Sequence, residues 1–192
     1  MTALPQADCG RIVVDIPPDF HEIPLASAVE DRAAAQTSLI ETMELSDSGQ
    51  REGLGLYLEA VARSLGDGPV VGTSFCAVSL AGSPSTATLT LATSRTDTFD
   101  PLVALTGIAE ALLRRGAHHA VGIERTGPHS VVVARSAPGD AGAALHQITV
   151  AVPVPGQPTA LLITLATPHA EHLATYEQVV RQVAGSVRVA GG

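Results

Sequence analysis

The sequence contains no lysine, so all 11 of its basic residues are arginine. A P-loop needs a lysine to reach the nucleotide phosphates, and Schiff-base enzymes and Ser-x-x-Lys acyl-enzymes need one at the reacting centre. These chemistries are therefore excluded. Tryptophan is also absent, and aromatic residues make up 3% of the chain, which is too few for a base-stacking platform. The net charge of -8 opposes binding to a phosphate backbone, so nucleic acid is not an expected partner.

Cysteine is scarce, and no segment resembles an export signal. Cys9 and Cys76 lack Cys-x-x-Cys spacing, which indicates a reducing compartment. Residues 1–11 have neither a basic start nor an apolar run, so no signal peptide is expected. Residues 141–170 contain no Asp, Glu, Lys or Arg, but prolines and a glycine within Pro153–Pro158 interrupt them. This stretch predicts a buried hairpin rather than a membrane span, and we expect a cytoplasmic protein.

The chain does contain enough apolar material for a core. It has 192 residues, of which 45% are hydrophobic and 16% are charged. This length and composition predict a single domain. We expect that domain to cover residues 1–192, with an ordered core from residue 11 to residue 189 and short flexible termini.

Hydrophobic residues recur at helical spacing in four segments. Capping residues precede these segments, and glycine or a Ser-Gly break follows several of them. The first predicted helix begins at Ser27, with Glu30 at capping-box spacing, and ends at a break at Ser46–Gly49. The second runs from that break to Gly66. The third runs from Asp100-Pro101 to Gly116, and the fourth from Thr167-Pro168 to Val187.

Seven segments rich in Val, Thr, Ile and Leu predict strands. A loop at Ala81–Ser85 is expected to join the second and third of them as a hairpin. The later strands are joined by short turns, which favours antiparallel pairing. The predicted strands are Arg11–Ile16, Val70–Leu80, Thr86–Thr93, Ala120–Arg125, Ser130–Ser136, Leu145–Val154 and Thr159–Ala166.

The order of these elements lacks βαβ alternation, which argues against a doubly wound fold. The strand at Thr159–Ala166 is apolar on both of its faces, and a sheet buried on both faces needs cover on both. We therefore predict an α+β fold: a single antiparallel sheet of about six to seven strands, with helices on both faces and no domain boundary.

Two segments resemble a known family. The apolar strand and turn Thr159–Pro168, followed by a helix to Val187, and the segment Phe20–Leu25 before an Ala-rich helix resemble the PsbP-like α/β/α sandwich superfamily, particularly its members from high-GC bacteria. The resemblance implies the sandwich fold and a role in binding other proteins, because the superfamily includes extrinsic photosystem II subunits and an import factor that binds a small GTPase. It implies no shared catalytic motif.

His169 and His172 are the candidate metal ligands. They lie three residues apart at the start of the last predicted helix, with Glu171 between them, and two imidazoles at that spacing can share an ion. The alternative is that both are solvated residues of the first helical turn. We assign no metal and no cofactor from the sequence.

Phe20, His21 and Glu22 form a candidate contact loop. An aromatic residue and a histidine lie there between acidic residues, next to Pro17-Pro18, and exposed loops often carry binding residues. The alternative is that this segment anchors the loop in the core.

No residue set indicates catalysis. Gly72–Cys76 begins like the Gly-x-Ser-x-Gly nucleophile elbow, but Cys76 replaces the final glycine and Ser74 lies within a predicted strand. The interpretation therefore leans towards a non-enzymatic module that binds a protein partner or itself, for which an exposed apolar patch would be evidence. The alternative is a small-molecule-binding protein or cytosolic enzyme with a pocket between the sheet and the helices.

Overall fold

The hydrophobic patterns fold into four α-helices and ten strands within the part of the chain that the structure describes. The structure is a computed structural model, and it describes residues 2–3, 11–25, 29–42, 48–65, 69–116, 118–137 and 145–190. The helices are α1 (Val29–Thr42), α2 (Ser48–Leu65), α3 (Pro101–Arg115) and α4 (Leu173–Gly185), the last preceded by a 3-10 turn (Ala170–His172). The strands are β1 (Thr2–Ala3), β2 (Arg11–Val14), β3 (His21–Glu22), β4 (Val70–Leu80), β5 (Ser83–Arg95), β6 (Ala120–Thr126), β7 (His129–Ser136), β8 (His146–Pro153), β9 (Thr159–Thr167) and β10 (Arg188–Ala190).

Seven of these strands form one large antiparallel sheet. Their order is β3-β4-β5-β9-β8-β7-β6, and every neighbouring pair runs antiparallel. The predicted α+β fold with a large antiparallel sheet is confirmed, because the short turns between the later strands leave room for antiparallel pairing alone.

Side-chain alternation along β9 shows how the two faces of the sheet are covered. Leu161 and Ile163 belong to the core beneath α4, whereas Leu162 packs beside Leu105 of α3. Successive strand residues point to opposite faces, so α4 and α3 cover opposite sides. Leu58 of α2 packs with residues of β4 on the α3 side, and α1 packs on α2.

The α4 face contains the larger core. Tyr176, Val180 and Val183 of α4 are buried against Leu161 and Ile163 of β9. Burying an aliphatic side chain of this size contributes roughly 1.5–3 kcal/mol. This face therefore holds the helix firmly on the sheet.

Ion pairs at the edge of the sheet add to this packing. Glu177 of α4 accepts hydrogen bonds from Arg135 of β7 (Nε to Oε2, 3.0 Å) and from Arg181 (Nη2 to Oε1, 2.7 Å). Arg181 also pairs with Glu124 of β6. The pKa of Glu177 is lowered to about 2, mainly by the guanidinium of Arg135 and to a smaller extent by that of Arg181. Desolvation of the carboxylate acts in the opposite direction and raises the pKa.

A second, three-stranded sheet was not predicted. Strand β2 pairs with β1 and β10 rather than joining the large sheet, so its assignment to a single sheet is corrected, and β3 takes the edge position beside β4. Arg188 of β10 forms an ion pair with Asp15 (3.0 Å), and the Asp15 N–H donates to Ser186 Oγ (2.9 Å). These contacts join the start of the described core to its end.

The last helix is shorter than predicted. Thr167 ends β9, a 3-10 turn follows, and α4 spans Leu173–Gly185 rather than reaching Val187. Ser186 Oγ donates to the carbonyl of Val183 (2.7 Å), which competes with continuation of the helix. Val187 follows the end of the helix but is buried in the same core as Val183. This shared burial explains why the hydrophobic pattern continues to Val187.

The predicted hairpin between β4 and β5 is confirmed, but its loop is shorter than the predicted Ala81–Ser85. Ala81 and Gly82 alone make the turn, with φ of 51° and 83°, the positive values of a type I′ hairpin. Pro84 lies inside β5, in the part that pairs with β4 before β9 begins to pair at Thr88. Because β9 does not pair with this part of β5, the N–H that Pro84 lacks is not needed for hydrogen bonds to β9.

The predicted start and end signals of α3 are confirmed. Asp100 caps the helix by accepting from the N–H groups of Leu102 (2.8 Å) and Val103 (3.2 Å). Pro101 takes the first helical position, and Gly116 ends the helix at φ 66°. The start of α2 differs from the prediction. Ser48 and Gly49, which were expected to break the helix, belong to its first turn, because that turn tolerates residues without strong helix propensity. Ser27 lies outside the described residues.

None of the helices in the described ranges is both long enough and apolar enough to cross a bilayer.

Candidate functional site

A strip of the large sheet lies between α2 and α3, and its side chains are half-buried. Helix α3 contacts β6, β7 and β8, whereas Leu58 of α2 packs with Phe75 of β4 and with Ile23, the residue after β3. Between the helices, most side chains of β5 and β9 on this face are half-buried: Leu162 packs at the margin of the α3 cluster, and Tyr57 of α2 is hydrogen-bonded to the buried Thr88. We call this strip the sheet groove; its floor is formed by Thr90, Ala92, Leu162, Thr164 and Ala166.

Four threonines stand side by side across the groove. Thr73, Thr90, Thr164 and Thr149 are register partners on β4, β5, β9 and β8. The hydroxyls of Thr149 and Thr164 lie 3.0 Å apart, and those of Thr73 and Thr90 lie 3.4 Å apart. Each hydroxyl has one proton and two acceptor positions, so the half-buried Thr90 and Thr164 retain capacity for a bound polar group.

One end of the groove is an apolar pocket of about 220 Å³ beneath α2. Leu54 and Tyr57 of α2 line it from above, and Phe75 and Ala166 line it from the sheet. The ring centroids of Tyr57 and Phe75 are 5.7 Å apart, and the Tyr57 hydroxyl is hydrogen-bonded to that of Thr88. The pocket is smaller than typical drug-sized sites, and its size suits a single apolar side chain.

The other end of the groove carries positive charge. An open pocket of about 440 Å³ runs along α3, where Arg95, Asp97 and Arg114 line it together with hydroxyl and aliphatic side chains. Neither Arg95 nor Arg114 forms an ion pair with any residue that the structure describes. A guanidinium group can donate to a carboxylate or another oxyanion.

Exposed apolar side chains lie beside the charged end. Phe99 is 70% exposed, Leu102 is 64% exposed and Val103 is 59% exposed. Phe99 and Leu102 line a further pocket of about 400 Å³, which adjoins the groove at Thr96. Such a cluster is the kind of surface that the binding-module interpretation requires.

His169 and His172, the candidate metal ligands, lie together at the 3-10 turn. Their ring centroids are 5.8 Å apart, and Glu171 Oε1 lies 3.4 Å from His169 Nδ1. Ligand atoms of the three residues all lie within 4.8 Å of one another. His169 is half-buried and its Nε2 lies 3.4 Å from Thr86 Oγ1, whereas His172 is buried. The structure therefore brings both predicted residues and Glu171 into one cluster.

A buried chain of hydrogen bonds leads inward from His172. Its Nδ1 lies 2.8 Å from Ser85 Oγ, which lies 2.7 Å from the Tyr176 hydroxyl, which lies 3.8 Å from Cys76 Sγ. Desolvation raises the pKa of Tyr176 to about 12 and also raises the pKa of the Cys76 thiol. Both groups are therefore neutral near neutral pH, so the geometry describes a satisfied buried network rather than an activated nucleophile.

Phe20, His21 and Glu22 do not form a contact loop as a unit. Phe20 is buried in the main core, and His21 and Glu22 form strand β3, paired with Phe75 and Ser74. An aromatic residue followed by two polar residues is typical of an exposed loop, but it also suits an edge strand that is anchored in the core by the aromatic side chain. The exposed part of this segment is the edge of the sheet.

Other residues considered from the sequence have structural positions. Ser74 is buried within β4 opposite Leu89, as its predicted strand implies. His129 Nε2 lies 2.9 Å from the carbonyl oxygen of Val187, which joins the start of β7 to the end of α4.

The groove and the buried network were both missed by sequence reasoning. Arg95 and Arg114 are 19 positions apart in the chain, and nothing local joins them. Ser85 was assigned to a loop. One signal was available: a tyrosine on the buried stripe of a helix requires a partner for its hydroxyl, and Tyr176 is such a residue.

Comparison with known proteins gives a distant structural similarity. No protein-family model matches the sequence, and no curated protein matches it. Among solved structures, the chain is similar to LpqN, which is involved in cell envelope biogenesis of Mycobacterium tuberculosis. The two share 14% identity over 98% of this chain and 89% of that chain, with a TM-score of 0.48.

Proposed function

We propose that this protein is a non-enzymatic protein-binding module, and that an extended segment of its partner occupies the sheet groove. The observation that carries this proposal is the half-buried strip between α2 and α3, with a hydroxyl-lined floor and chemically different ends. A groove that runs along the surface of the sheet suits a chain segment, whereas small-molecule sites enclose most of their ligand.

The dimensions of the groove indicate how long the segment is. The apolar pocket includes Thr86 and the charged pocket includes Ser94, and both residues lie on β5. The eight residue steps from Thr86 to Ser94 span about 26 Å at roughly 3.3 Å per step. The groove therefore accommodates about eight residues of an extended segment.

The two ends of the groove define the chemistry of the segment. Leu54 and Tyr57 favour an apolar side chain at one end, because the pocket between them and the sheet is almost free of polar atoms. Arg95 and Arg114 favour acidic side chains at the other end. The proposed partner segment thus carries a large apolar residue and one or two carboxylates at opposite ends.

Fluorescence anisotropy with labelled eight-residue peptides tests this proposal. The peptides carry Leu or Phe at one end and two Glu at the other, in both orders, and a matched set carries Lys in place of Glu. We expect the acidic set to bind and Arg95→Glu or Arg114→Glu to weaken binding at least about ten-fold, or about 1.4 kcal/mol. Arg115→Glu is the control, because Arg115 lies on the same helical turn but outside the groove.

Three results would contradict the proposal. The first is equal binding of the acidic and lysine peptides, and the second is an equal effect of the Arg114 and Arg115 variants. The third is no binding by any acidic peptide; if a small molecule then bound in the groove, the alternative of a small-molecule-binding protein would replace the module.

Two further sequence predictions stay proposals. Membership of the PsbP-like superfamily is supported by the antiparallel sheet between helices. A cytoplasmic location is supported by the free, buried thiol of Cys76. Cell fractionation followed by detection of the protein tests the location, and recovery in a membrane or exported fraction would contradict it.

A further inference from the structure

We infer that His169, Glu171 and His172 form a binding site for a divalent transition metal ion, with Zn²⁺ as the best-matched ion. The three side chains project from one 3-10 turn at the start of α4. This site adjoins the apolar pocket at Thr86, but its three ligands belong neither to the floor of the sheet groove nor to the arginines of the charged end, so the inference does not rest on the proposed peptide binding.

The spacing of the ligand atoms fits a tetrahedral ion. With bonds of about 2.1 Å, two ligand atoms of a tetrahedral Zn²⁺ site lie about 3.4 Å apart. His169 Nδ1 and Glu171 Oε1 already have a separation of 3.4 Å, and no separation within the cluster exceeds 4.8 Å. The Glu171 side chain is 62% exposed, so it can rotate to adjust its own distances to the two imidazoles.

Hydrogen bonds to the outer nitrogens of both imidazoles support the assignment. Histidine ligands commonly donate their other ring N–H to a fixed acceptor, which sets the tautomer and the ring orientation. His169 Nε2 lies 3.4 Å from Thr86 Oγ1, which leaves Nδ1 facing Glu171. His172 Nδ1 lies 2.8 Å from Ser85 Oγ, which leaves Nε2 for the ion.

The buried network can accept a hydrogen bond from the His172 proton on Nδ1. If Nδ1–H donates to Ser85 Oγ, the Ser85 hydroxyl donates to Tyr176, and the Tyr176 hydroxyl donates to the sulfur of Cys76. Every donor in this chain then has an acceptor, and Nε2 keeps its lone pair. The backbone is also constrained, because the N–H of His172 donates to the carbonyl of His169 (3.2 Å).

The donor set selects the ion. Two imidazole nitrogens and one carboxylate suit Zn²⁺ and neighbouring transition metals, whereas Ca²⁺ and Mg²⁺ prefer oxygen ligands alone. Three protein ligands leave a fourth position of a tetrahedral ion for water or another donor.

Calorimetric titration of the tag-free protein with ZnCl₂ tests the inference, and Co²⁺ absorption reports tetrahedral coordination. We expect one equivalent of Zn²⁺ to bind, and His169→Ala and Glu171→Gln each to weaken binding by about ten-fold or more. His172→Asn removes Nε2 but keeps an amide donor for Ser85. His21→Ala is the control, because His21 lies on β3 outside the cluster.

The inference is overturned if the wild-type protein shows no saturable Zn²⁺ binding, if the ligand variants bind as the wild type does, or if His21→Ala weakens binding as much as His169→Ala. Circular dichroism establishes that each variant is folded. If the His172→Asn variant does not fold, the His169→Ala and Glu171→Gln variants decide the result, because His169 is partly exposed and Glu171 is exposed.

Discussion

At the scale of single residues, the polar groups near α4 are arranged so that each charge or hydroxyl has a partner. Ser85, Tyr176 and His172 form one buried chain of hydrogen bonds, and Glu177 lies between two arginines. Buried polar groups without partners cost free energy, so these contacts allow α4 to pack closely on the sheet.

Glu177 makes the stability of the protein depend on pH. Its pKa is about 2 in the folded protein, below the ordinary value of 4.5, because Arg135 and Arg181 favour the carboxylate. The stabilisation is therefore present above pH 4.5 and is lost as the pH falls towards 2. We expect Glu177→Gln to lower the free energy of unfolding by about 2 kcal/mol near neutral pH, allowing for the partial exposure of the pair.

Urea unfolding at about pH 6 and about pH 3 measures this effect. The difference between wild type and Glu177→Gln should shrink at the lower pH, because the Glu177 side chain of the unfolded chain is protonated there while that of the folded protein stays mostly charged. Glu110→Gln is the matched control, since Glu110 is exposed on α3. An equal difference at both pH values would contradict the assigned role of Glu177.

At the scale of elements, the caps decided where the helices begin and end. Helix α3 begins where its sequence indicates, because Asp100 accepts two backbone N–H groups and Gly116 adopts the left-handed conformation. Helix α4 ends two residues before its hydrophobic pattern does, because Ser186 Oγ donates to the carbonyl of Val183. A local hydrogen bond thus prevailed over hydrophobic periodicity at α4.

Removal of the Asp100 cap should destabilise the protein. We expect Asp100→Ala to lower the free energy of unfolding by about 1 kcal/mol, because the N–H groups of Leu102 and Val103 lose their acceptor. Thermal or urea unfolding measures the change. Asp97→Ala removes the same charge nearby without removing the cap; if it cost as much, the effect would be electrostatic and the cap assignment would be wrong.

At the scale of the whole molecule, the two tyrosines report on opposite faces of the large sheet. Tyr57 of α2 contacts Phe75 on the groove side, and Tyr176 of α4 is buried on the other side. The chain contains these 2 tyrosines and no tryptophan. Each face therefore has its own intrinsic fluorophore.

The prediction of a single domain can be tested with these tyrosines. If the sheet and its helices form one cooperative unit, Tyr57→Phe and Tyr176→Phe variants should each unfold in a single transition. In each variant, the urea midpoint from the remaining tyrosine should equal that from far-ultraviolet circular dichroism. Different midpoints for the two probes within one variant would show that the two faces unfold separately, which would contradict a single domain.

The sequence predicted most strands and three helix positions to within a few residues, because their signals are local. The alternation in Thr159–Ala166 and the Asp100-Pro101 cap need no knowledge of distant residues. The predicted Ala81–Ser85 loop was too long because serine and proline are typical of loops, whereas Pro84 is tolerated where β5 has one neighbour. The candidate site was predicted in part: His169 and His172 lie three residues apart and share a turn.

By itself, the sequence determined the classes of chemistry that are excluded, the antiparallel α+β fold and the two-sided burial of the sheet, since composition and hydrophobic period act over short distances. Only the tertiary structure decided that β2 pairs with β10, that Ser85 bonds to His172, and that Arg95 and Arg114 line one groove. These contacts join residues far apart in the chain, and their geometry depends on strand register and helix placement. Neither quantity can be read from a local pattern.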